Sequence, residues 1–527
     1  MKRYILCLFF VCSSFLSCNK FLETVPEDFI APQNYYNNER ELNLALNGVY
    51  NRLVDNLGRM YSRGLFTFYV MSDEFFYTGT TSLTNNLKVM DFDANHLDIS
   101  RLWENIYEGI NRANLLLENV DKPDMDETKR EIIRGEALFL RGYFYFLLVD
   151  IYGEVPLRIT STKSPNDLNL RRSSVAEVYE QITKDMKEAE GLVSIASDYS
   201  YNERVTKTAV QAILARVYLT MAGKPLDDVS KYEDALLYVN KVIGSGLHSL
   251  DPSYSQIFIN HTQDTYNLVE RECIWEIGMY GNKANGSEDV AGFVGVENGL
   301  RSDNETIGFS GGNVRTTKKL FDSFEAGDLR RDWVIAPYYW RTTNGVAARV
   351  FYNANQIYDR SSGKWRREYE TLEPKHRSYC GTNFPIIRYS DVLLMKAEVE
   401  NAIGDRDEAY KALNQVRRRA FGKPINQVDA VADAPAGMVQ GPFFEYIVDE
   451  RFRELCFEGM RKHDLVRWGR YITTMNQLAT DIRANAPNNY KFAARPGENI
   501  TARNVVFPIP NTEITANSLA RPQNLGW

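Results

Sequence analysis

Histidine is scarce in this chain, 5 in 527 residues, and cysteine scarcely commoner at 6. So few imidazoles leave little material for general bases or metal ligands. Cys273, Cys380 and Cys456 stand too far apart for a thiolate metal cluster or a CxxC redox site, and no disulfide framework is indicated in a chain long enough to do without one. No HExxH, no phosphate-cradling GxxxxGK[ST] and no GxGxxG occurs, which leaves metal and nucleotide enzymes poorly supported. No cofactor and no bound metal are expected. Charge of one sign is not concentrated either: the net charge is −7 and Lys and Arg are scattered, so nucleic acid is not an expected partner. Long apolar runs are also missing from the body of the chain. The most apolar stretch, ALFLRGYFYFLLVDIYG at 137–153, is broken by Arg141 and Asp150 and reads as a core helix rather than a membrane span.

What is present points first to export. Lys2 and Arg3 precede an apolar run from Tyr4 to Leu16, then Ser17 and Cys18, which is the order of a secretory signal peptide over residues 1–17. That run falls short of the ~20 residues a spanning helix needs. A Cys after a small residue at the end of such a run resembles a bacterial lipobox, with Phe15 and Leu16 departing from its usual residues, and makes Cys18 the expected lipidation site. Ordinary cleavage that leaves Cys18 a free thiol is the alternative. Membrane attachment then rests on the lipid alone.

The remaining residues, 18–527, read as one domain. Hydrophobic content of 44% with 25% charge is that of a globular chain. Apolar residues recur at three- and four-residue spacing over 39–54, 101–120, 127–152, 175–192, 206–222 and 231–245, and again in a pair over 388–421, predicting amphipathic helices. Gly153, Gly223 and Gly246 fall where helix ends want a left-handed residue. Ala397, Gly404 and Ala409 fall where helix–turn–helix repeats of the tetratricopeptide type need small side chains. The segments 54–100 and 250–385 are rich in Gly, Asn, Thr, Ser and Tyr and read as long loops with a few short strands. The fold class expected is therefore mainly α: a helical-repeat scaffold, chiefly 39–245 and 388–470, carrying an irregular, aromatic-rich portion.

Several stretches, in order, resemble the SusD/RagB family of nutrient-uptake lipoproteins. They include WENIYEGINRANLLLENV at 103–120, EALFLRGYFYFLLVDIYGEVPL at 136–157, ERVTKTAVQAILARVYL at 203–219 and RYSDVLLMKAEVENAIGD at 388–405. The most specific are ERFRELCFEGMRKHDLVRWGR at 450–470 and FPIPNTEITANSLARPQNLGW at 507–527. The resemblance implies four tetratricopeptide-like helix pairs, a SusC-like TonB-dependent outer-membrane barrel as partner, and capture of oligosaccharide, or in some members peptide, at the outer face of the outer membrane. It implies no catalysis. The alternative is a secreted helical-repeat hydrolase or adaptor with no transport role.

Three motifs bear on that choice. Glu454, Glu458, Arg461, Asp464 and Arg467 crowd one segment, and their spacing predicts ion pairs on a helix surface, Glu458 with Arg461 and Asp464 with Arg467, rather than carboxylates facing across a cleft. GFSGG at 308–312 matches a nucleophile elbow at Ser310, but the next helical pattern begins only near Thr317. FYVMSDEFFYTGTT at 68–81 and APYYWRTTNG at 336–345 interleave rings with planar polar side chains on loop segments, the combination that sugar recognition uses. Phe75, Phe76, Tyr77, Tyr338, Tyr339 and Trp340 are accordingly the candidate ligand-binding residues, and Trp103, on an amphipathic helix, is read as core.

Overall fold

The computed structural model describes residues 35–55, 58, 60–65, 71–164, 168–281 and 291–527. The leader and Cys18 lie outside the described residues. Helices α1 (Glu39–Val54), α2 (Leu97–Asn119), α3 (Glu127–Tyr152), α4 (Val175–Leu192), α5 (Lys207–Met221) and α6 (Lys231–Gly244) follow one another in the chain. Each packs on the next, so they form a single row. After α7 (Tyr254–Gln263) and a long irregular segment, α8 (Tyr389–Ile403) docks on α6 and brings α9 (Arg406–Ala420) behind it, which extends the same row. Helices α10 (Gln440–Glu454), α11 (Arg461–Arg467) and α12 (Tyr471–Asn485) complete the C-terminal part.

The helices begin where short polar side chains take up free N–H groups. Asn38 accepts from Glu41 N, Asp126 from Lys129 N and Asp405 from Glu408 N, while Ser174 and Glu177 form a reciprocal capping box. Gly153 and Gly404 end α3 and α8 with positive φ. Gly223 does not have positive φ. Its role is clearance, since a Cβ there would lie 2.4 Å from the Arg467 carbonyl. Close approach also fixes Gly109 on α2, where a Cβ would meet the Phe144 ring of α3 at 2.6 Å. Helix α3 is buried on nearly every side, and its Arg141 is answered in the core by Asp185 at 2.7 and 2.8 Å and by Asn114 at 2.9 Å. Among the described residues no helix is long and apolar enough to cross a membrane.

The irregular portion holds short antiparallel ribbons: β1 (Phe75–Tyr77) with β5 (Val314–Thr316), β2 (Val155–Pro156) with β3 (Arg172–Ser173), β4 (Cys273–Ile277) with β8 (Phe384–Arg388), and β6 (Tyr338–Thr343) with β7 (Val346–Phe351). β4 and β8 are buried along their whole length, and β8 leads directly into α8.

Where β4, β8, α9 and α10 meet, the core is ionic. Glu454 accepts from Arg388 at 2.9 Å, Arg419 at 2.6 Å and Arg330 at 2.9 Å, and Glu272 accepts from Arg388 at 2.8 Å and Arg419 at 2.9 Å. These side chains are withdrawn from solvent, and each charge survives there because its opposite is in contact. The crowded carboxylates of this segment are thus held by basic side chains, Glu458 by Arg388 and Lys364 and Asp464 by Arg451 and Arg467.

Candidate functional site

The six candidate rings fall into two sets. Phe75, Phe76 and Tyr77 are only 1%, 1% and 6% exposed. Side chains alternate along a strand, but both faces of β1 are covered: Phe75 lies against Phe457, and Phe76 sits among Tyr358, Tyr490 and Phe492. Alternation therefore frees none of them for a ligand. Trp103 is core too, edge-on to Tyr152 at 5.0 Å.

Tyr338, Tyr339 and Trp340 stand on a β-hairpin rather than a loop. Asn344-Gly345, with φ of 52° and 80°, makes the two-residue turn whose twist matches paired strands. On one face Arg349 lies 4.7 Å from the Tyr338 ring centre and 5.1 Å from that of Trp340, and Glu368 accepts from the Tyr338 hydroxyl and the Trp340 indole N–H. Phe351 extends this face into solvent, whereas Tyr338 itself is buried. On the other face Tyr339 packs between Arg301 and Tyr352, at 5.1 Å from each.

A separate cleft of about 650 Å³ opens between one face of α1, the turn at Glu203-Arg204 and the chain leaving β4. Its walls are tied together by side-chain contacts. Arg204 lies over the Tyr50 ring at 5.2 Å, pairs with Glu136 at 2.9 Å and donates to it from Nη2 at 3.0 Å, while the Tyr50 hydroxyl donates to the same carboxylate. Glu136 is wholly buried, so this triangle anchors both wall residues. Gly278 lets β4 run close to the turn, because a Cβ there would fall 2.3 Å from a Glu203 carboxylate oxygen. On the floor the Tyr266 hydroxyl is 2.7 Å from both Glu203 and Asp264, and Asn383 Nδ2 donates to Asp264 at 3.0 Å and Glu276 at 2.9 Å. Burial, with Glu276 and Asp264 nearby, raises the Glu203 carboxyl above the ordinary range despite its hydrogen bond from Tyr266. Asn47 and Asn51 of α1 add amides, and Tyr280, 69% exposed, completes the lining.

An exposed ring above planar amides, a guanidinium and carboxylates can stack on the apolar face of a sugar and bond its hydroxyls. Sequence reasoning did not single out Tyr50, Arg204 or Tyr280. The one available signal was Tyr280 closing the run ECIWEIGMY just before a Gly- and Asn-rich stretch. Ser310 is 1% exposed and bridges Ser302 instead of joining a strand to a helix. His463 contacts Asp150 and Thr220, and His376 accepts from Ser378 N, so both rings are engaged elsewhere than at Ser310.

Two family models match the chain, one described as "Starch-binding associating with outer membrane" over residues 20–219 and one as "SusD family" over residues 271–527. The chain belongs to the SusD/RagB family. SusD-like protein P25 of Formosa agariphila is 26% identical over 98% of this chain and 97% of its own length. Starch-binding protein SusD of Bacteroides thetaiotaomicron is 26% identical over 79% of this chain and 76% of its own. A crystal structure of a SusD homolog from Bacteroides thetaiotaomicron superposes with a TM-score of 0.83 at 28% identity, covering 94% of this chain and 98% of that one. The helical row and its irregular companion are thus the SusD fold.

Proposed function

We propose that this SusD-family protein captures oligosaccharide at the outer surface of the outer membrane, where acyl chains on Cys18 hold it, and hands the ligand unchanged to a SusC-like TonB-dependent barrel. The observation that carries the reading is the cleft, whose lining brings the exposed Tyr280 ring together with Asn47, Asn51 and Arg204. A family described as starch-binding, and a relative named a starch-binding protein, support glycan as the ligand class. The regular helical row supplies a stiff surface suited to a rigid partner.

A hydrolase would need one protonated carboxyl aimed at a glycosidic oxygen and a second carboxylate placed to attack or activate water. Here Glu203, Asp264 and Glu276 are held together by Tyr266 and Asn383. That arrangement favours binding over cleavage.

The test is a glycan and peptide array followed by calorimetry on purified protein. Tyr280→Ala should weaken glycan binding by roughly 1–3 kcal/mol, while the recovered glycan keeps its length. Binding to peptides alone, or cleavage of the glycan that disappears in Glu203→Gln, would overturn the reading.

A further inference from the structure

Beneath the cleft lies a group of side chains that shares only Glu276 with it. His261 on α7 and Cys273 and Glu276 on β4 are 2%, 8% and 2% exposed, and their ligand atoms lie within 4.8 Å of one another. We propose that His261, Cys273 and Glu276 bind a single divalent cation of the zinc class.

The His261–Glu276 separation is of the right size. Tetrahedral zinc with its usual bond lengths to nitrogen, oxygen and sulfur sets neighbouring ligand atoms about 3.3–3.7 Å apart. His261 Nε2 and Glu276 Oε2 stand at 3.3 Å. Residues three apart on a regular strand point to opposite faces, yet β4 shifts register between Cys273 and Trp275 and again between Trp275 and Glu276. Those shifts turn both side chains toward His261. Asn383 Nδ2 holds the other Glu276 oxygen at 2.9 Å, which orients the carboxylate as such sites require.

A further observation points to a ligand. A cavity of about 20 Å³ is lined by all three residues, enough for one water in a fourth coordination position. Glu276 lines both this cavity and the open cleft above, which provides a way in.

The donor set selects the metal. One sulfur, one nitrogen and one oxygen suit zinc, whereas calcium and magnesium require oxygen ligands. A thiolate and a carboxylate neutralise the dication, leaving no net charge in the core, and coordination releases the Cys273 thiol proton to solvent.

The purified full chain, stripped with chelator and titrated with cobalt(II), should take up one equivalent and develop a near-ultraviolet thiolate-to-cobalt band that zinc abolishes. Zinc should raise its melting temperature. Glu276→Gln should lower zinc affinity about 10–100-fold, and Cys273→Ser should lose the band. If Cys273→Ser fails to fold, X-ray absorption of the zinc-loaded wild type decides, and one sulfur neighbour beside nitrogen and oxygen is the expected shell. No band in the wild type, a band that persists in Cys273→Ser, or a shell without sulfur overturns the proposal.

Discussion

Arg388, the last residue of β8, grips Glu458 with two guanidinium nitrogens, Nε at 2.9 Å and Nη2 at 2.8 Å, with both side chains withdrawn from solvent. Its remaining nitrogen donates to Glu272 and Glu454 at 2.8 and 2.9 Å. One cation thus answers three carboxylates. Arg388→Met should therefore destabilise the protein by about 3–5 kcal/mol, because it leaves buried negative charge uncompensated. Urea denaturation followed by circular dichroism measures this. A loss well below ~1 kcal/mol would mean that water reaches the junction.

Glu74 lies buried beside Asp73, and burial first, then that neighbour's charge, pushes its carboxyl up to about 8 from 4.5. Between those values the folded chain keeps a proton that the unfolded chain has released. Glu74 therefore costs stability as pH climbs through this window, and costs nothing below it. Glu74→Gln imitates the protonated form. It should match wild type near pH 5 and exceed it near pH 8 by on the order of a few kcal/mol. Melting curves of both proteins across the range give the answer, and parallel curves would show that Glu74 ionises freely.

The rings of β1 and the ring at the cleft should behave oppositely. Phe76→Ala should cost about 3–5 kcal/mol of stability and leave ligand affinity of the folded fraction intact, since Phe76 is enclosed by Tyr358, Tyr490 and Phe492. Tyr280→Ala should leave the melting temperature almost unchanged and lower affinity. Trp340→Ala, run beside them, reports whether the hairpin shares the ligand. Loss of binding in Trp340→Ala with none in Tyr280→Ala would move the site to the hairpin.

Cys18→Ala should release the protein from the membrane fraction, because stable anchoring needs more than one acyl chain and the lipidated cysteine would carry them. Fractionation with a high-salt wash and immunoblotting checks it. Retention after the wash would require another anchor.

The helices were legible because their determinants are local. Helices α3 and α4 occupy 127–152 and 175–192 as their apolar spacing predicts, and Asp126 and Ser174 cap them from within the same few residues. Ion pairs were legible only where the helix is unbroken. Asp464 and Arg467 meet at 2.9 Å on α11 as predicted. Glu458 and Arg461 are not the predicted pair, because Phe457 and Gly459 take positive φ and α11 starts only at Arg461. Arg461 reaches instead to Asp73, at 2.8 and 3.0 Å, a partner that no spacing rule can find. The aromatic candidates show the same limit. Composition picked out sugar-friendly segments, but whether a ring faces solvent, as Tyr280 does, or vanishes under Tyr490, as Phe76 does, is decided by chain hundreds of residues away.

The ionic junction has a temporal side. A chain that emerges N-terminus first delivers Glu272, then Arg330, Arg388 and Arg419, long before Glu454 and Glu458 arrive to join them. Until then Arg388 and Arg419 share only Glu272 and Arg330 has only Asp328, so β4 and β8 lack most of the charge that holds them while the helical row beside them can already assemble. Newborn molecules should therefore pass through a stage with a finished row and an open second half, and a stop codon placed just ahead of Glu454 should trap that stage as a protease-resistant fragment covering α1 to α6.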